Sequence, residues 1–190
     1  MATRSLLKST TATLYTLGYE KRTLREFIEI LAEADIHVLV DVRETAWSHK
    51  PGFSKGLFQA ALERAGIEYV HASFAGNPKW LRSNAASHAE CLKWYVWYLG
   101  EFGEIVDAFD ALVRPSLRAG KRVCLTCFER HADDCHRAIL AARWEARTSK
   151  QVVHLATDGC RRLVQPTTGR ADPSNNSEPD PKTCSLARSC

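Results

Sequence analysis

The sequence predicts a single α/β domain: a mostly parallel sheet of about five strands flanked by helices, followed by a disordered C-terminal tail. Two runs carry most of that prediction. "HVLVDVR" (37–43) and "KRVCLTC" (121–127) are nearly continuous in Val, Leu and Cys, the pattern of parallel strands covered on both faces. Strand-like runs also alternate with helix-period stretches along residues 13–156, which implies layers joined by right-handed crossovers. At 190 residues, 45% of them hydrophobic, the chain has length for one well-buried core and little for a second.

"TLYTLGYE" (13–20) reads as the first strand, ended by Gly18. Thr23 with Glu26 three positions on has the capping-box pattern, and Leu24, Phe27, Ile28 and Leu31 form one apolar helical stripe. The second strand, 37–43, turns charged at Asp41 and Arg43, which marks its carboxyl end. "SKGLFQAALERAG" predicts a helix with Ser54 as N-cap and Gly66 as stop, and "IEYVHA" (67–72) a third strand. "FAGNPKWLR" (74–82) reads as a Gly/Pro loop. From about His88 to Leu117 the composition is helical, as one bent helix or as two divided near Gly100 and Gly103, with Pro115 near the end. Residues 121–127 give a fourth strand, "DCHRAILAARWEART" a helix opening at Asp133 or Asp134, and "QVVHLA" (151–156) a final strand. Residues 1–12 read as a flexible leader, 13–157 as the domain, and the Pro-, Ser- and Asn-rich segment 165–190 as disordered.

Composition narrows the function classes. Twenty-six basic against 22 acidic side chains leave a net charge of +4, compatible with phosphate or nucleic acid but decisive for neither. Seven cysteines without repeated spacing do not suggest a secreted disulfide framework. The most apolar long segment carries Lys93, Glu101, Glu104, Asp107 and Asp110, so no membrane span is expected. A cytoplasmic protein is the expectation, and the oligomeric state is left open.

In an open parallel sheet, ligands bind beyond the carboxyl ends of the strands. Gly18, Tyr19 and Glu20 follow the first strand, Asp41, Arg43 and Glu44 end the second, Cys127 and Glu129 end the fourth, and Cys135, His136 and Arg137 open the next helix. All four groups are therefore expected on one edge. Cys127 reads either as a thiol activated by a helix N-terminus and nearby arginine or as an inert cysteine ending a core strand. Cys135 is placed to resolve an oxidised Cys127 if the backbones approach closely. Arg137 reads as an anion holder or as a partner of Asp133 or Asp134; Arg43, ending an apolar strand, needs an acceptor from Asp41, Glu20 or a ligand. His49, Lys50 and Lys55 with Trp47 and Phe53 suit a phosphate-contacting loop, or a solvated loop with aromatics folded inward.

A zinc reading would use Cys124 and Cys127 with Cys135, His136 or His131. Side chains three apart on a strand face opposite ways, which breaks that chelate, and no metal is expected. The sequence has no Gly-rich phosphate loop, HExxH helix or nucleophile elbow, and no cofactor is expected.

"YTLGYE", "LVDVRETAWSHKPGFSK", "AGIEYVH" and "LTCFERHADDCHR" together resemble the DUF488 family of small bacterial and archaeal proteins, over about residues 13–156. The correspondence covers Gly18, Tyr19 and Glu20, the Val-Asp-Val-Arg string ending at Arg43, Pro51 to Lys55, and Cys127, Glu129, Cys135, His136 and Arg137. Ala75-Gly76 stands where the family often has Gly-Gly. The resemblance implies an α/β fold with a polar pocket and no established reaction, and it directs the reading of the 127–137 cluster towards function. The resulting expectation is an enzyme-like protein binding a small anionic or nucleotide-like ligand. Cys127 would be the reactive thiol, with Glu129 or His136 moving the proton, Arg43 and Arg137 holding the anion, and Asp41 orienting. The alternatives are a nucleic-acid-binding or regulatory module using Lys50 and Lys55, and a metal-binding domain.

Overall fold

The computed structural model describes residues 13–157 and 163–164; the expected leader and tail lie outside them. Five strands form one parallel sheet: β1 (Thr13–Gly18), β2 (Val38–Asp41), β3 (Glu68–His71), β4 (Val123–Cys127) and β5 (Gln151–His154). Their order is β3-β2-β4-β1-β5. The chain thus leaves a gap between its first two strands that β4 fills more than eighty residues later. Gly18 lies level with Cys127, and Asp41 with Thr126.

Helix α1 (Leu24–Glu33) opens with the expected capping box, Thr23 and Glu26 satisfying each other's backbone N–H groups. It packs with α2 (Lys55–Arg64) on one sheet face, where Phe27, Leu31, Phe58 and Leu62 meet Leu17, Leu39 and Cys124. Ser54 stands at the N-cap of α2, but its hydroxyl bonds Ser48 instead of the helix. Gly66 ends that helix at φ +77°.

The other face is covered by α4 (His88–Glu101), α5 (Glu104–Arg118) and α6 (His136–Thr148), with Val40, Leu125 and Cys127 of the strands beneath Tyr95, Phe109 and Trp144. Residues 88–118 are therefore two helices, divided at Phe102 and Gly103. Pro115 lies within α5. There it has no N–H to give the Ala111 carbonyl one turn earlier, and the stripe Val106, Phe109, Val113 and Leu117 anchors the helix past it.

Three expectations are corrected. Residues 74–82 are not a loop: a 3-10 turn (Ser73–Ala75) is followed by the short helix α3 (Lys79–Asn84), started by Pro78 as its N-cap. Helix α6 opens at His136 with Cys135 as N-cap, not at Asp133 or Asp134. The strand expected over 151–156 stops at His154, and β6 (Ala156–Thr157) pairs antiparallel with β7 (Leu163–Val164). Among the described residues no helix is long and apolar enough to cross a membrane.

Candidate active site

Because β4 separates β2 from β1, the carboxyl ends of three adjacent strands deliver Asp41, Cys127 and Gly18 to one edge. Above that edge is a cleft of about 1260 Å³ lined by Tyr19, Arg43, Cys127, Glu129 and His136 among others. Alternation along β4 places Cys127 on the α4–α6 face and Cys124 among the α1–α2 side chains, the opposition that the strand period requires. Burial pushes the Cys124 thiol well up, so it stays protonated. None of the four described cysteines is in a disulfide.

The Cys127 Sγ lies 3.5 Å from Nδ1 of His136. The other ring nitrogen, Nε2, is 3.0 Å from the Val42 carbonyl oxygen. A carbonyl only accepts, so Nε2 carries a hydrogen and Nδ1 of the neutral ring presents its lone pair to the thiol. Tyr95 stacks edge-on against the imidazole at 5.2 Å and donates to the Ala75 carbonyl at 2.8 Å, which fixes the ring's flank. Burial alone would lower the His136 pKa, but Cys135, the Val42 carbonyl and the Glu129 charge outweigh it and raise it.

Cys135 and Glu129 complete the group. One donor atom from each of Cys127, Glu129, Cys135 and His136 falls within 4.8 Å of every other. Burial and the neighbouring Cys127 thiol hold Cys135 well above the ordinary thiol range. Burial works against the charged form of Glu129, yet contact with Cys135, its own backbone N–H and His136 bring its pKa down, so it is a carboxylate at neutral pH. Its Oε2 is buried without a hydrogen-bond partner.

Several predicted site residues turn out to hold the loop in place. Arg137 is 1% exposed and does not line the cleft. Its guanidinium donates to the Glu129 carbonyl at 2.6 Å and the Arg130 carbonyl at 3.2 Å. Glu20 accepts from the Arg130 N–H at 3.0 Å, while its own N–H bonds the Phe128 carbonyl at 2.8 Å. Gly18 is required beneath this loop, since a Cβ there would stand 1.8 Å from the Glu129 carbonyl oxygen. His88 ties the far side, its Nε2 donating to the Asp134 carbonyl at 2.7 Å.

Asp41 and Arg43 form a buried pair on the opposite sheet face. Arg43 donates to Asp41 through Nε (2.8 Å) and Nη2 (2.6 Å) and to the Tyr19 hydroxyl through Nη1 (2.8 Å). Its guanidinium lies 5.1 Å from the Tyr19 ring centroid. Tyr69 donates to Asp41 at 2.8 Å. Burial opposes the Arg43 charge, but Asp41 outweighs it and the pKa rises; burial and Asp41 likewise raise the Tyr69 phenol. Lys55 is exposed at the start of α2 and outside the cleft. Lys50 is in the cleft, its ammonium 2.9 Å from the Tyr19 carbonyl.

The matching family is described as "Domain of unknown function DUF488", and the match covers residues 23–144. The chain belongs to the DUF488 family. The matched span contains Asp41, Arg43 and the whole 127–137 cluster of this DUF488 protein, and leaves Gly18, Tyr19 and Glu20 just outside. No curated protein matches the chain. Among solved structures, two crystal structures of one Shewanella putrefaciens CN-32 protein, named "Putative phosphatase (DUF442)", are similar. Each has 16% identity, a TM-score of 0.42 and 70% coverage of this chain. The chain spans just under two thirds of their length, 66% and 63%.

The cleft also contains residues that sequence reasoning missed. Lys21 and His88 line it, and each lies in an ordinary polar stretch without a motif. The Val42 carbonyl, which sets the His136 tautomer, leaves no side-chain signal at all.

Proposed function

We propose that this DUF488 protein is a thiol-dependent enzyme that holds a small anionic substrate in the cleft and attacks it with Cys127. The observation that carries the reading is the 3.5 Å approach of Cys127 Sγ to the lone-pair nitrogen of a His136 ring anchored through its other nitrogen. A thiol becomes a strong nucleophile when an adjacent base takes its proton. His136 Nδ1 accepts that proton, the Cys127 sulfur bonds the electrophilic phosphorus, sulfur or acyl carbon, and the departing group takes the proton back from the imidazolium. Glu129, a carboxylate beside His136, stabilises the imidazolium while it exists.

The cleft favours anions. Its lining holds Lys21, Lys50, Lys79, Arg43 and Arg82 against Glu44 and Glu129. Arg43 is neutralised by Asp41 and Arg82 by Glu44, which leaves three lysine charges against the single Glu129 carboxylate in the lining, an excess that draws and orients a negative substrate.

Alkylation of chelator-treated native protein, read peptide by peptide at pH 6.5, tests the reading. Cys127 is expected to react ahead of Cys91, Cys124 and Cys135, and His136→Asn to slow it by about 100-fold, the low end of what a positioned base supplies. A Cys127 that stays unmodified until the protein is denatured would overturn it.

A further inference from the structure

We propose that Cys127, Glu129, Cys135 and His136 form a binding site for one zinc-class divalent cation at the floor of the cleft. The donor atoms all lie within 4.8 Å of one another. Tetrahedral zinc with bonds of about 2.3 Å to sulfur and about 2.0 Å to nitrogen requires a sulfur–nitrogen edge of about 3.5 Å. The Cys127–His136 edge is 3.5 Å. The other donor pairs, all within 4.8 Å, exceed the tetrahedral edges of about 3.3–3.8 Å by about 1.5 Å at most.

The surroundings suit a metal as well as the donors do. A ligating histidine typically donates its second N–H to a backbone carbonyl, which fixes the ring and the tautomer; His136 does this to Val42 at 3.0 Å. Glu129 Oε2 is buried without a hydrogen-bond partner, and a cation among the thiolates would satisfy it. Two thiolates and a carboxylate leave one net negative charge around a divalent ion, and the Arg137 guanidinium, 2.6 Å from the Glu129 carbonyl, lies close by. Two sulfurs, one imidazole and one carboxylate select zinc-like ions over magnesium or calcium, which take oxygen ligands. The chelate expected to fail, through Cys124, does fail; Glu129 supplies the donor that Cys124 cannot.

The site goes beyond the proposed chemistry and does not depend on it. Where both hold, they exclude each other on one molecule, because a metal-held Cys127 sulfur is not free to attack. Zinc binding would therefore silence the thiol reversibly.

The test uses the full chain, reduced and stripped with a chelator. Titration with zinc against a chromogenic chelator should give one ion per chain, and cobalt should give a sulfur-to-metal charge-transfer band with visible bands of tetrahedral intensity. Cys135→Ser should weaken zinc binding about 100-fold or more and Glu129→Gln about tenfold, while His131→Ala, a change at an exposed histidine, should leave it unaltered. Circular dichroism of each variant separates lost binding from lost folding, and the wild-type cobalt spectrum needs no variant. Substoichiometric zinc, or an octahedral cobalt spectrum, overturns the site. If zinc fails to bind while Cys127 still alkylates first, this inference alone falls. If zinc binds and stripped Cys127 is inert, the thiol enzyme alone falls.

Discussion

Replacing Gly18 by alanine tests how the fold holds the 128–135 loop. The new Cβ would lie 1.8 Å from the Glu129 carbonyl oxygen and 2.7 Å from its carbon, where real Cβ atoms essentially never approach closer than 3.0 Å. Gly18 is not at positive φ, so alanine costs nothing through backbone preference and the whole effect is steric. Relief requires the Glu129 carbonyl to retreat by about 1.2 Å, from 1.8 to 3.0 Å. That retreat strains the bond from Arg137 to Glu129 (2.6 Å) and the pairings of Tyr19 N–H with Cys127 O (3.2 Å) and Glu20 N–H with Phe128 O (2.8 Å). Two neutral bonds at about 1 kcal/mol each and one from a charged donor at about 2 kcal/mol set a loss of about 3–4 kcal/mol. Urea unfolding followed by tryptophan fluorescence measures it, and a thermal scan should show a fall of about 10 °C. Gly56 provides the control: it lies in α2 with nothing within 4 Å of an added Cβ, so Gly56→Ala should stabilise by up to about 1 kcal/mol. A Gly18→Ala protein within about 0.5 kcal/mol of wild type would refute the claim that this glycine is the loop's seat.

Asp41→Ala strands the buried Arg43 guanidinium and should cost about 3–5 kcal/mol in denaturant unfolding; Tyr69→Phe, which removes only one donor to Asp41, should cost about 1–2 kcal/mol by the same measurement. Asp110→Ala leaves the fully buried Trp144 indole N–H, now 3.0 Å from Asp110, without an acceptor, for a loss of about 1–3 kcal/mol. Burial opposes the Asp110 charge, but Arg114 and Trp144 outweigh it and lower its pKa. Its contribution is thus present above the unfolded carboxyl pKa of about 3.9 and lost as pH falls through the lower folded value, so the acid limb of an unfolding midpoint-versus-pH curve should flatten in the variant. His154 carries a lowered pKa through burial, with Arg137 adding to it. The unfolded chain therefore binds its proton first, and stability falls as pH drops from about 6.5 towards the folded value; His154→Gln should reduce the slope of the midpoint between pH 7 and 5.5.

Elements with a strong period were legible in the sequence, and contacts made through backbone groups were not. The capping box at Thr23, the apolar stripe of α1 and the two Val-rich strands follow from local rules, because burial on one or both faces dictates their residue pattern. The short helix at Lys79 carries a loop-like sequence, since Gly76 and Pro78 dominate the local signal, although proline is tolerated at a helix start. The Asp133 and Asp134 carboxylates matched the usual N-cap preference, but the chain instead turns through Ala132, whose carbonyl accepts from Cys135 N–H at 3.0 Å, and starts α6 later. At the site, Tyr19, Arg43, Cys127 and His136, which the strand-end rule groups together, line one cleft. That rule could not separate those that face the cleft from Arg137 and Glu20, which face the loop's own carbonyl and amide groups. Such partners carry no residue identity.

The insertion of β4 between β2 and β1 explains why the polar residues divide as they do. A strand end in the middle of a sheet is crowded by neighbours, so the 128–135 loop has few routes out and must be anchored where it crosses β1. Gly18 provides the space, Arg137 and Glu20 hold the carbonyl and amide groups, and His88 ties the loop to α4. On the other face, the Asp41–Arg43–Tyr19 network stiffens the ends of β2 and β1. Cys127, Glu129, Cys135 and His136 are then held by groups outside their own cluster, which is how a thiol and an imidazole keep a fixed distance without a substrate to draw them together. A buried charged pair contributes little to stability against an apolar replacement, so what Asp41 and Arg43 give this edge is the geometry they impose rather than folding energy.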